Sequence, residues 1–145
     1  MTGIDPRGPR FTATATLVVF AVALVLSDAA PAAAAVLTGA QAVLFAIGAG
    51  LGVQMTPTGL LFRSAIRPRL APPSHLEDPT PPRFAQAVGL VFAVVATVGF
   101  ASGAVLVGQV ASGLAFAAAF LNAAFAFCLG CEMYLLGLRV TGRAS

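Results

Sequence analysis

The chain has 145 residues, enough for one domain, and 59% of them are hydrophobic against 9% charged, with a mean hydropathy of +0.95. A soluble domain carries about a quarter charged residues, so this composition excludes an ordinary soluble fold and points to an integral membrane protein. The net charge of +3 comes from eight arginines without a single lysine, and no arginine-rich face with interleaved aromatics exists, which leaves nucleic-acid binding without support.

Four stretches are long and apolar enough to cross a bilayer, which takes about 20 residues, or about 17 at the short end. The first runs from Phe11 to about Ser27 and follows Arg7 and Arg10. A connection at 28–31 leads to the second, from about Ala32 to Val53. Between spans two and three, "GLLFRSAIRPRL" (59–70) mixes Leu60, Leu61, Phe62, Ile66 and Leu70 with three arginines. It predicts a short interfacial helix ended near Pro68, its arginines toward anionic headgroups. "APPSHLEDPTPPR" (71–83) is a proline-rich linker carrying His75, a solvated side chain on this reading. The third span runs from Phe84 to about Val107, a connection occupies 108–111, and the fourth runs from about Ser112 to Leu138. Helices are the expected form, since an isolated strand in lipid leaves its backbone groups unpaired and the runs lack barrel-strand alternation. The expected class is therefore all-α: a polytopic membrane protein of four transmembrane helices in two tandem hairpins.

Arg7 and Arg10, then Arg63, Arg67, Arg69 and Arg83, then Arg139 and Arg143 all fall on one side of such a four-span chain. The positive-inside rule puts that side, with both termini, in the cytoplasm of a multi-pass cell-membrane protein. The rival reading of residues up to "SDAAPAAAA" as a cleaved signal peptide is opposed by an internal repeat. "DPRGPRF" (5–11) returns as "DPTPPRF" (78–84), and "TLVVFAVA" (16–23) lies against "GLVFAVVA" (89–96) at the same offset of 73 residues. "QAVLFAIGAG" (41–50) sets against "NAAFAFCLGC" (122–131) more loosely. The unit divides the single membrane domain into residues 1–73 and 74–145, in parallel orientation. Pro9 and Pro82 keep helix from running back into the loops, while Arg10 and Arg83 snorkel to headgroups beside Phe11 and Phe84. Headgroup contact is expected of Arg10, Arg63, Arg67, Arg69 and Arg83. Gly48 with Gly52, and Gly99 with Gly103, form small-x-x-x-small pairs for close helix packing.

The residues that carry chemistry lie in "FLNAAFAFCLGCEMYLL" (120–136). Counted back from Arg139 along a continuous helix, Cys131 and Cys128 are expected about 12 and 16 Å deep, in the half of the membrane nearest the arginines. They share a face at i, i+3, with Glu132 adjacent, and Gln41 and Asn122 add intramembrane amides. Polar groups in lipid usually face a bundle interior, so the cluster predicts a pocket between helices. Three roles are open. The cysteines pack as small hydrophobes; they exchange as a Cys-x-x-Cys pair, against which apolar surroundings and a nearby carboxylate argue; or they bind a metal. A metal needs a further ligand beside Cys128, Cys131 and Glu132, which a homo-oligomer would bring.

"IDPRGPRF", "QAVLF", "LFRSAIRPRL", "EDPTPPRFAQAVGLVFA" and "FLNAAFAFCLGCEMYLL" together resemble an actinobacterial membrane family, domain-of-unknown-function family 4395, over nearly the whole chain. The resemblance implies a small four-helix protein whose genes lie near thioredoxin-like and rhodanese-type sulfurtransferase genes. It favours thiol chemistry over metal and implicates Cys128, Cys131 and Glu132, with Asn122 in support. The expectation is a membrane partner in thiol redox or sulfur handling. Cys128 and Cys131 are the exchanging pair, Glu132 moves the proton, and no cofactor is expected. The alternative is an assembly factor or transporter subunit whose cysteines are structural or bind a metal.

Overall fold

The computed structural model describes residues 3–143. They form six α-helices in chain order: α1 (Arg7–Leu26), α2 (Pro31–Leu51), α3 (Pro57–Leu61), α4 (Thr80–Ser102), α5 (Val105–Phe125) and α6 (Leu129–Val140). α1, α2, α4 and α5 are each long and apolar enough to cross a membrane. At 1.5 Å per residue they span about 30 Å, the thickness of a hydrocarbon core. Only 22% to 33% of each span is buried inside the bundle, so most of its apolar surface faces outward, as a multi-pass membrane protein requires. The all-α class with four apolar spans thus stands. Helical structure continues past α3 through a π turn at Phe62–Ile66 and a 3₁₀ turn at Arg67–Arg69, covering most of the segment expected to be helical.

Each hairpin starts from an aspartate. Asp5 Oδ1 accepts the Arg7 backbone N–H at 3.0 Å, and Asp78 Oδ1 accepts that of Thr80 at 2.9 Å, each satisfying a first-turn donor that the helix cannot. α4 lies against α2 and α5, while α1 lies against α5 and α2. The interior is built from small residues around few aromatics: Ala23, Ala34, Ala96, Ala111 and Phe100 form one cluster, Phe20, Phe45, Ala93 and Ala115 the other. Lipid tails are as apolar as leucine, so close backbone approach and polar ties hold such helices together. Thr97 Oγ1 lies 2.9 Å from Thr38 Oγ1 across α4 and α2. Gln109 Nε2 donates to Ser27 Oγ at 2.9 Å and Asp28 Oδ1 at 3.0 Å, lashing α5 to the end of α1.

Contacts at the arginine-bearing end come in pairs whose residues stand 73 positions apart. Arg10 Nη2 donates to the Ala123 carbonyl at 3.1 Å, and Arg83 donates to those of Ala49 and Gly50 at 3.2 and 2.7 Å. Each of these two arginines therefore caps the far helix end of the other hairpin. Ile4 and Glu77 exchange two backbone hydrogen bonds of 2.9 Å, joining the segments that lead into α1 and α4. Of the other arginines assigned to headgroups, Arg67 Nε sits 3.8 Å from Asp5 Oδ2, Arg69 donates to the Ala65 carbonyl, and Arg63 reaches Met55 Sδ. All five are exposed.

Two boundaries differ from expectation. The turn between spans three and four falls at Gly103–Ala104 rather than at 108–111. Gly103, at φ 87°, ends α4, whereas Gly108 is needed inside α5: a Cβ there would stand 2.5 Å from the Phe100 ring on α4, just as a Cβ on Gly99 would stand 2.6 Å from the Gly108 nitrogen. Gly52 likewise ends α2 at φ 105°, so Gly52 and Gly103 terminate helices where packing was expected. The second difference shapes the site: α5 stops at Phe125, and what reads as one helix to Leu138 is two.

Candidate functional site at the break between α5 and α6

Ala126 closes α5 in the left-handed conformation at φ 56°. Its N–H bonds the Asn122 carbonyl at 3.1 Å and that of Phe127 bonds Leu121 at 3.2 Å, the paired ending that normally selects glycine. An L-alanine there costs about 1–2 kcal/mol relative to right-handed backbone. Cys128 follows in extended conformation as the N-cap of α6, and its Sγ accepts the Cys131 N–H at 3.3 Å. The two sulfurs are joined as a disulfide, with Cα atoms 5.2 Å apart.

The cysteines are thus not in a helix interior at depths of 12 and 16 Å. They lie beyond the last residue of the fourth span, at the arginine-bearing end. The apolar run "AAFAF" hides the break, because it contains neither glycine nor proline. This relocation offsets the sequence argument against a reactive pair: the N-terminal turn of a helix presents unpaired N–H groups and the positive end of its dipole, which favour a thiolate, while the Glu132 carboxylate stays adjacent.

The first turn of α6 is seated on α4. A Cβ on Gly130 would come within 2.6 Å of the Ala85 Cβ, and Phe84 packs on Tyr134 with ring centroids 5.6 Å apart. Beside this contact a cavity of about 270 Å³ runs between α1, α2, α4, α5 and α6. Cys128 and Asn122 share its wall with Thr16, Gln86, Ala118 and Met133. Both cysteines are half-buried. Glu132 is exposed in the first turn of α6; its N–H donates to the Cys128 carbonyl at 3.0 Å, and it is not part of the cavity wall. Gln41 is buried and donates to Thr16 Oγ1 at 3.4 Å, one layer behind the wall. The structure therefore gathers Cys128, Cys131 and Asn122, leaves Glu132 at the surface, and keeps Gln41 as a brace. Gln86 is the wall residue that sequence reasoning missed; its signal was an amide inside the otherwise apolar "FAQAVGLVF".

Among the described residues, no three or more His, Cys, Asp or Glu side chains converge as a metal site. A metal on Cys128 and Cys131 would draw its other ligands from elsewhere. His75 lies exposed, its Nε2 3.4 Å from Glu77 Oε1. Just before α1, Asp5 is buried beside Arg7 and Arg67; the Arg7 hydrogen bond holds its carboxyl below the ordinary range against the opposing effect of burial. Asp78 is held low by the Thr80 N–H.

No curated protein and no solved structure matches the chain. A family model does, across residues 4–139, which includes every span and both cysteines. The chain belongs to the family described as Domain of unknown function (DUF4395).

Proposed function

We propose that the protein is a membrane partner in thiol redox or sulfur handling, with Cys128 and Cys131 as the exchanging pair. The observation that carries this reading is the position of Cys128 as N-cap of α6, its sulfur accepting the Cys131 N–H and lying in bonding contact with the Cys131 sulfur. In the reduced state the same N–H would stabilise a Cys128 thiolate. That thiolate attacks a partner disulfide and expels one partner thiolate; the Cys131 thiolate then attacks Cys128 Sγ and expels the other. The pair is left oxidised and the partner reduced. With a persulfide donor, the Cys128 thiolate takes the outer sulfur and the donor leaves as a thiolate. Glu132, adjacent to Cys131 and open to solvent, accepts the Cys131 proton through water.

On this reading the arginine-bearing end faces the cytoplasm of the cell membrane, because every arginine collects there. The partner is then a soluble cytoplasmic protein of thioredoxin-like or rhodanese-type chemistry. The test is to express Cys131→Ser, which removes the resolving thiol, and to look for a reductant-sensitive mixed disulfide. A trapped species that disappears in the Cys128→Ser/Cys131→Ser double variant is expected. If none forms, and neither wild-type cysteine is labelled by thiol reagents in membranes even after reduction, the cysteines serve packing alone and the proposal falls.

A further inference from the structure

The cavity beside Cys128 has a chemistry of its own. Four of its five walls are spans, and it reaches from Pro9 and Pro82 at the arginine-bearing end to Thr16, about 14 Å along α1 from Arg7. Leu114, on the span α5, is 54% exposed, and Leu129 and Met133 of α6 are 42% and 48% exposed; all three are apolar, so the cavity has an apolar rim that includes one span residue facing outward. At about 270 Å³ it is near the lower end of small-molecule sites, which begin at about 300 Å³, and so fits a single ring. Its polar groups are Thr16, two amides that can donate hydrogen bonds, Gln86 and Asn122, and the cysteine sulfur of Cys128. The positions 73 residues before Gln86, Asn122 and Cys128 hold Ala13, Ala49 and Met55. Gln86 and Asn122 therefore have no amide counterpart at that offset, and both line this cavity with Cys128.

We infer that this cavity binds the ring of a membrane quinone, which exchanges two electrons with the Cys128–Cys131 pair; the inference rests on the exchange reading above. A quinone arrives through lipid, presents a flat ring to an apolar wall, and offers two carbonyl oxygens to the amides. In the forward step the two S–H bonds break and the S–S bond forms. Two electrons and two protons pass to the quinone, whose carbonyls become the hydroxyls of a quinol. A soluble dithiol partner then reduces the disulfide by the exchange written above run in reverse, so the net flow runs from thiols to the quinone pool.

The test uses the full chain in lipid nanodiscs, reduced and freed of reductant, with decylubiquinone, a fully substituted ring that resists permanent thioether formation. Quinol absorbance and loss of alkylatable thiols are followed together. Saturable oxidation is expected, one quinol per disulfide. Ala118→Phe, which projects a ring into the cavity, should slow it about tenfold or more. Gln86→Ala should raise the half-saturating concentration about fivefold through loss of a hydrogen bond. Reaction with a soluble aromatic disulfide, which needs only the two sulfurs, reports whether the pair is intact in each protein. Oxidation that is not saturable, or that both variants leave unchanged, means that the cavity holds only lipid and overturns the inference. If the wild-type pair exchanges with the soluble disulfide yet ignores the quinone, the quinone site fails and the proposed function survives. If it does neither, both fail.

Discussion

After its second span, each half of the molecule takes the chain through the same steps. Following α2, Gly52 turns the backbone to φ 105° and Thr56 caps α3, its Oγ1 accepting the Gly59 N–H at 3.1 Å. Following α5, Ala126 turns it to φ 56° and Cys128 caps α6, its Sγ accepting the Cys131 N–H at 3.3 Å. An aromatic pair then holds the helical segment after each cap to the first span of its own half, Phe11 with Phe62 just past α3 and Phe84 with Tyr134 in α6. We read this as one unit used twice. The capping position differs in kind: the Thr56 hydroxyl is enclosed by bonds to Val53 and Thr58, while the Cys128 sulfur faces a second sulfur and a cavity. A structural device in the first half has, in the second, the atoms for exchange chemistry.

The comparison is most severely tested by writing the first half's cap into the second. Cys128→Thr should keep α6, since a threonine hydroxyl accepts the same N–H, and should change stability by no more than about 1 kcal/mol. It should abolish thiol exchange. Circular dichroism with disulfide-exchange kinetics reads both, and surviving exchange would break the comparison.

Next in size is Gly130→Val. The new side chain would meet Ala85 where there is no space, and overpacking of this kind costs about 1–3 kcal/mol. Thermal unfolding in nanodiscs should show the loss, and exchange should slow as α6 leaves its seat on α4. Unchanged melting would mean that α6 is not docked there.

Thr56→Ala sharpens the contrast from the other side. It removes the cap of α3 at a cost of about 1 kcal/mol, measurable by the same melting curve, and should leave exchange untouched.

The smallest effect separates the two aspartates from which the hairpins start. Asp5 is buried and its carboxyl is held low chiefly by Arg7, so it stabilises the fold above the ordinary aspartate value of about 3.9, and that stabilisation is lost as pH falls below it. Asp5→Asn should flatten melting temperature against pH between about 5 and 3, a window set by that ordinary value. Asp78→Asn, at an exposed site, should do so much less.

Hydropathy alone made the four spans legible, and the two Asp-Pro motifs marked where each hairpin begins. The turn at Gly103 was misplaced because Gly108 and Gln109 read as a polar interruption; in the fold that glycine gives α4 and α5 close contact and that amide ties α5 to Ser27 and Asp28. The break after Phe125 was illegible for a different reason. It rests on an alanine in left-handed conformation, for which the sequence carries no signal, and on the docking of Gly130 against Ala85, a contact 45 residues apart in the chain. The Cys-x-x-Cys motif was visible as residues, but its place at a helix start, which governs its chemistry, was not. Asn122 was expected at the site and lines its cavity. Glu132 was grouped with the cysteines by spacing, yet stands outside the cavity once the helix register changes.

The central claim is that Cys128 and Cys131 form one reversible exchanging unit. Equilibrating the reconstituted full chain across a series of reduced-to-oxidised glutathione ratios, then counting free thiols by mass-shift labelling, tests it most directly. The account predicts that both thiols disappear and return together, along the same curve in either direction. Cysteines that stay alkylatable at every ratio, or that oxidise singly and do not return, would contradict it.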